Sequence, residues 1–211
     1  MAKKLIEMVC TGNNGRSPVA ELIARNYLES VGATTDYDSI SSGTMVDIIK
    51  AGRFPIKVMT PIIDIAKGRR IYDSSELTKL DDALRSGDSK TVEGYFNKAT
   101  QIFSEEESRE REVVLRELSI YGEVKGGKEQ TMPRPDVVAI LPMDRKNYDG
   151  VLKIYHSSGF SPVISVLSVL ATGDPNSEVA NAFGQSSDVY RQNIEQLVDE
   201  VPKAVRKIIG A

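Results

Sequence analysis

The sequence predicts an α/β protein in which a parallel sheet is flanked by helices and interrupted by a helical insertion. Short apolar runs near residues 5–10, 37–41, 136–143 and 162–167 read as strands, and segments with helical spacing of apolar residues alternate with them. Such alternation, joined by right-handed crossovers, implies a parallel sheet. A third observation separates the insertion. Between Asp73 and Gln130 there are 14 acidic and 9 basic side chains, whereas the whole chain carries a net charge of only -3.

The first strand is the run Leu5, Ile6, Met8, Val9, ending at Cys10. A helix follows it, with Ser17 suited to the N-cap and Pro18 to the first helical position. Ala20, Ile23, Ala24, Tyr27, Leu28 and Val31 fall on one face, and Gly32 stops the helix. The second strand is Tyr37 to Ser41. Asp136 to Met143 is the third, and Val137 to Leu141 is apolar throughout, as a strand covered on both faces requires. A helix from Arg145 to His156 leads to a fourth strand over Pro162 to Leu167. The terminal helix carries Tyr190, Ile194, Leu197, Val198 and Val201 on one stripe, with a kink expected at Pro202. Within the insertion, Val92, Tyr95, Phe96, Ala99, Ile102 and Phe103 make an amphipathic helix that continues into the charged run Glu105 to Glu112 and breaks at Gly126 and Gly127.

Composition narrows the function. With 211 residues and 40% apolar content the chain can bury one core, and residues 1–211 read as one domain with the acidic insertion, 73–130, inside it. A net charge of -3 excludes broad electropositive character and with it general nucleic-acid binding, but leaves room for a small anion site. The single cysteine excludes an intrachain disulfide. No secretory h-region opens the chain and no apolar run could span a bilayer, so a cytoplasmic protein with a free thiol and no membrane association is expected.

Cys10, Thr11, Gly12, Asn13, Asn14, Gly15 and Arg16 form a cysteine-x5-arginine loop between a strand and a helix. The helix N-terminus aims unpaired amides at the loop centre, favouring thiolate and phosphate alike. Gly12 and Gly15 permit the backbone angles and close approach that let successive amides curl into a nest. Arg16 can clamp two oxyanion oxygens. Ser17 either caps the helix or donates a hydrogen bond to the thiolate. A thiolate attacking a phosphoester also needs a proton donor for the leaving oxygen. The only histidine, His156, lies on a predicted helix and reads as structural or exposed. Asp174, followed by Pro175 in a loop after the fourth strand, is better placed, because such loops gather over the same sheet edge.

These residues resemble the low-molecular-weight protein tyrosine phosphatase superfamily, which includes arsenate reductases. VCTGNNGRSPVAE at residues 9–21 is similar to its signature. Ser41 to Thr44, SSGT, resembles a family turn. Met143 to Asn147, MDRKN, resembles its MDxxN segment, and Asp174 with Pro175 its acid loop. The resemblance implies a four-stranded, flavodoxin-like phosphatase fold and a two-step hydrolysis without metal or cofactor. It gives Cys10 the role of nucleophile, Arg16 that of clamp, and Asp174 that of acid and later base. Thr11 to Ser17 would hold the phosphate, with Asn13 bracing the loop through Ser41. The implied partners are a phosphorylated protein or small phosphoester, or another oxyanion at the loop, with a protein partner at the insertion as a further expectation.

Three departures shape the substrate expectation. Gly15 stands where the family often has a second cysteine, Asn176 stands where an aromatic residue often follows aspartate-proline, and Asn14 is polar where tyrosine-directed members often carry isoleucine. An arsenate reductase using an external thiol, or a phosphate-binding interaction protein, remain the alternatives at this level.

Overall fold

The computed structural model describes residues 2–52, 54–126 and 129–210. Four parallel strands, β1 (Lys4–Cys10), β2 (Tyr37–Gly43), β3 (Val137–Pro142) and β4 (Val163–Ile164), lie in the order β2-β1-β3-β4. Register runs Cys10 opposite Gly43 and Val9 opposite Pro142, so three strands end together around Cys10.

Alternation along the central strands divides the core. Ile6, Met8 and Cys10 of β1, with Ala139 and Leu141 of β3, face α1 (Arg16–Ser30), α7 (Leu167–Thr172) and α8 (Ser187–Ile209). Leu5 and Val9, with Val137 and Ile140, face α6 (Arg145–Tyr155), which contributes Val151 and Tyr155. A strand period of two explains the split, except at the register shift between Leu5 and Ile6, which puts Val137 on the same face as Ile140.

Four helices fill the connection from β2 to β3: α2 (Val46–Ala51), α3 (Ile56–Gly68), α4 (Ser74–Ser86) and α5 (Ser89–Glu117). Met59 and Ile63 of α3, Leu80 of α4, and Phe96, Ala99 and Phe103 of α5 form a second core. The stretch picked out by its charge therefore holds α4 and α5, while α3, outside it, shares their core. Asp73 starts α4 with a reciprocal capping box to Glu76. Further along, Val114 and Leu115 of α5 leave this cluster and enter the main core, so one 29-residue helix joins the two.

Several sequence expectations shift. The fourth strand shrinks to Val163 and Ile164, pairing with Ala139 and Ile140, and the remaining apolar residues start α7. Helix α1 begins at Arg16 with Gly15 as its N-cap, and no side chain caps it. Val31 is exposed rather than part of the buried face. Pro202 lies inside α8, which continues to Ile209. Helix α5 ends at Glu117, before Gly126, and Gly127 lies outside the described residues. None of the described helices is long and apolar enough to cross a membrane.

Candidate active site

Cys10 ends β1 and is buried, and two donors converge on its Sγ: the Ser17 hydroxyl at 3.0 Å and the Asn13 amide at 3.2 Å. Both stabilise negative charge on sulfur. Of the two readings of Ser17, the hydroxyl is found on the thiol, and no side chain caps α1. Its Oγ also accepts from Asn13 Nδ2 at 3.2 Å and lies 3.2 Å from the Ser42 carbonyl.

The loop is shaped differently from the glycine-based expectation. Its left-handed residue is Asn13, with φ 54, and neither Gly12 nor Gly15 has positive φ. Asparagine tolerates this region better than most side chains. Here Asn13 is fully buried, donates to Ser17 and accepts from the Glu129 amide at 3.4 Å. The expected brace from Asn13 to Ser41 is absent, because Ser41 donates to Glu21 at 2.6 Å. The register explains the difference: Ser41 lies level with Met8, two residues back from Cys10, so its hydroxyl meets α1 at Glu21, and it is the Ser42 carbonyl that lies near Ser17.

The SSGT turn supports the loop through its backbone. Thr44 N donates to the Cys10 carbonyl and Met45 N to the Thr11 carbonyl, each at 3.0 Å. Gly43 lies so close that a Cβ there would sit 2.8 Å from Thr11 O, 2.8 Å from Val46 Cγ2 and 2.9 Å from Asn13 N. Only glycine fits. The returning chain adds a second layer, with Gly43 N donating to the Glu129 carbonyl at 2.9 Å and Thr131 N to the Gly43 carbonyl at 3.0 Å.

Arg16 is buried at the start of α1, and its Nη1 donates to Asp144 Oδ2 at 2.8 Å and to the Val179 carbonyl at 2.6 Å. Asp144 also caps α6 by accepting from Asn147 N at 2.8 Å. With its side-chain nitrogen 3.0 Å from both Asp144 oxygens, the Asn147 amide accepts from Thr11 Oγ1 at 3.0 Å and Thr11 N at 3.2 Å. The MDRKN segment thus holds both ends of the loop. Resemblance marked the segment, but its role became readable only once β3 was placed beside β1.

Asp174 sits in the loop after α7. It is exposed, and its carboxylate accepts from Asn176 N at 2.9 Å in a local turn. That loop docks on the start of α6, with Arg145 donating to the Pro175 carbonyl, but among the described residues no hydrogen bond joins Asp174 to the Cys10–Ser17 loop. His156 is exposed at the end of α6, as expected.

Two further residues reach the loop from the insertion. Arg111 of α5 donates to the Asn14 carbonyl at 3.0 Å. One helical turn earlier, Glu107 lies against Gly15, where any Cβ would collide with its Oε1. Burial pushes the Glu107 carboxyl above its ordinary range, opposed by the nearby Arg111 and Arg16 guanidinium groups. Neither residue was singled out in the sequence, where they disappear in a charged run. The helical spacing Phe103, Glu107, Arg111 was the available signal. Glu107 also lines a cavity of about 380 Å³ with Arg69, Phe103 and Tyr190.

On the opposite sheet face, buried Glu7 accepts from Ser42 Oγ at 2.5 Å, and Ser42 Oγ lies 2.8 Å from Thr131 Oγ1. Its other carboxyl oxygen is buried without a hydrogen-bond partner. Desolvation raises its pKa.

The strand order, helix placement and cysteine loop define the fold of the low-molecular-weight protein tyrosine phosphatases. Among solved structures, a low-molecular-weight protein tyrosine phosphatase from T. tengcongensis is 18% identical, covering 97% of this chain and 99% of that chain at a TM-score of 0.55. A protein tyrosine phosphatase from Entamoeba histolytica is 16% identical, covering 99% and 98% at 0.56. The YwlE arginine phosphatase from Geobacillus stearothermophilus is 14% identical, covering 98% and 94% at 0.54. No family model matches the chain, and no curated protein matches it in sequence.

Proposed function

We propose that this protein is a cysteine-dependent phosphatase that hydrolyses a phosphomonoester through a phosphocysteine intermediate. The observation that carries the reading is the pair of donors on Cys10 Sγ, supplied by Ser17 and Asn13 at the carboxyl end of β1 and the start of α1. A merely structural cysteine has no use for two polar groups aimed at its sulfur. The phosphatase folds described above, on tyrosine-directed and arginine-directed enzymes alike, support the same reading.

In the first step the Cys10 thiolate attacks phosphorus, the ester P–O bond breaks, and Asp174 delivers a proton to the leaving oxygen. In the second, Asp174 as carboxylate takes a proton from water, which attacks phosphocysteine and releases phosphate and thiolate. Asp174 accepts from Asn176 N through Oδ1 alone, which leaves Oδ2 to carry the transferred proton. The loop amides and Arg16 stabilise charge on the transferring group, with Asp144 and the Val179 carbonyl fixing the guanidinium in place. Ser17 stabilises the sulfur again as it departs.

The test is Cys10→Ser with a nitrophenyl phosphate assay and rapid acid quench. The variant is expected to lose turnover and keep phosphate binding, while the unaltered protein yields acid-trapped phosphocysteine. Turnover near that of the unaltered protein would remove Cys10 from the chemistry.

A further inference from the structure

Gly15 and Glu107 fit each other. The position before the loop arginine carries no side chain, and the carboxyl of Glu107 occupies the space a side chain there would take. Arg111, one turn further along α5, ties the same helix to the loop at the Asn14 carbonyl. Helix α5 is anchored beyond this point by Val114 and Leu115 in the main core, so the carboxyl is delivered by a supported element.

We propose that Glu107 is a specificity residue of the cradle, a carboxyl brought by the inserted helices against Gly15 and near Arg16 that sets how strongly the loop holds multiply charged oxyanions. The inference rests on the reading of the loop as an oxyanion cradle. When ionised, Glu107 competes with a bound anion for the field of Arg16 and repels it directly; when protonated, it does neither. Its burial favours the protonated form, and the neighbouring cations favour the ionised one. Because the folded carboxyl holds its proton to higher pH than an ordinary glutamate, the cradle has full affinity below that raised pKa. Affinity for a dianion falls as pH rises through it.

Apart from the Cys10 thiol of the cradle itself, the groups facing Glu107 leave it as the one that switches. Arg16 on α1, Arg111 on α5 and, across the cavity, Arg69 on α3 stay cationic throughout. Tyr190 on α8, buried beside Glu107 and Arg111, has its phenol pushed above the ordinary range by burial first and then by Glu107, so it stays neutral. Glu110 and Glu106 share the helix and line the same cavity, while Asp144 belongs to the Arg16 clamp.

The probe is sulfate, which remains a dianion between pH 5 and 9, measured by isothermal titration calorimetry on the intact protein, on E107Q and on E107A. The Cys10 thiol lies in the same cradle and contributes alike in all three proteins, so the readout is the difference between them: from pH 5 to pH 8 the unaltered protein is expected to lose ~10-fold more sulfate affinity than either variant, the effect of one charge acting at partly screened range. Both variants are expected to bind sulfate more tightly than the unaltered protein at pH 8. E107Q preserves shape, and E107A guards against a new hydrogen bond from the amide. Parallel pH profiles in all three proteins would overturn the role of Glu107 while leaving the cradle intact. Absence of sulfate binding in every protein at every pH would overturn the cradle reading, and this inference with it.

Discussion

Gly43→Ala adds one methyl group, and the structure determines where its cost falls. The new Cβ would lie 2.8 Å from Thr11 O, 2.8 Å from Val46 Cγ2 and 2.9 Å from Asn13 N. Two of these atoms are backbone in the Cys10 loop and cannot rotate aside, so relief requires the loop to move by several tenths of an ångström from β2. Such a shift strains the Thr44 and Met45 hydrogen bonds to Cys10 O and Thr11 O. Overpacking of this kind costs ~1–3 kcal/mol. In the proposed mechanism a sub-ångström displacement also misaligns the sulfur with phosphorus, and the expected loss in turnover is ~10- to 100-fold, given that a 1 Å misplacement can cost ~100-fold. Urea denaturation and nitrophenyl phosphate turnover measure the two effects together. Stability within ~0.5 kcal/mol of the unaltered protein with undiminished turnover would refute the claim that Gly43 sets the loop position.

Two further outcomes concern the carboxylates of Asp174 and Glu7. Asp174→Asn is expected to cut turnover of an alkyl or tyrosyl phosphate by ~10²- to 10⁴-fold, to reduce nitrophenyl phosphate turnover less in the phosphorylation step, and to accumulate phosphocysteine; equal small losses with no trapped intermediate would leave Asp174 as a turn residue. Glu7 has its pKa raised by burial, so the folded state holds that proton more tightly than the unfolded one, and stability declines as pH rises from the ordinary glutamate value of 4.5 through the folded value. Glu7→Gln removes this decline: thermal unfolding is expected to find the variant more stable at pH 8 by roughly 1–3 kcal/mol, the scale of an unpaired buried polar group, and similar at pH 4. A variant less stable than the unaltered protein at pH 8 would reverse that assignment.

Elements defined by local pattern were legible in the sequence. The apolar run before Cys10 and the continuous run after Asp136 could hardly be anything but central strands, and their parallel pairing explains why Cys10 and the MDRKN segment meet. Where a residue answered to a distant partner, local signals misled. Serine followed by proline has the form of a helix start, yet Ser17 lies inside α1 because the sulfur of Cys10 is a better use for its hydroxyl than an amide of the first turn. The β4 register stops after two residues, so Leu167 and the residues after it, apolar enough for a strand, form α7 instead. Charge located the insertion only in part, since α3 carries few acidic residues and reveals its membership through Met59 and Ile63 in the shared core. Glu107 was hidden for the opposite reason: in a run of glutamates only its place one helical turn past Phe103 sets it apart from its neighbours.

The neck of the insertion also constrains the order of folding. Gly43 and Gln130 form a parallel bridge, so the chain leaves the sheet and returns to it at the same place. Without the helices, β3 would have to find β1 across a long unstructured span, and that closure is slow. Helices α3, α4 and α5 contact one another at shorter sequence separations than the one that parts β1 from β3, and own a core that does not include the sheet. Early collapse of that bundle draws its two ends together and shortens the effective search for β3. The inserted helices thereby act as a scaffold for the strand that follows them, so a defect in their core, for example at Phe96, should slow formation of the sheet far from the substitution.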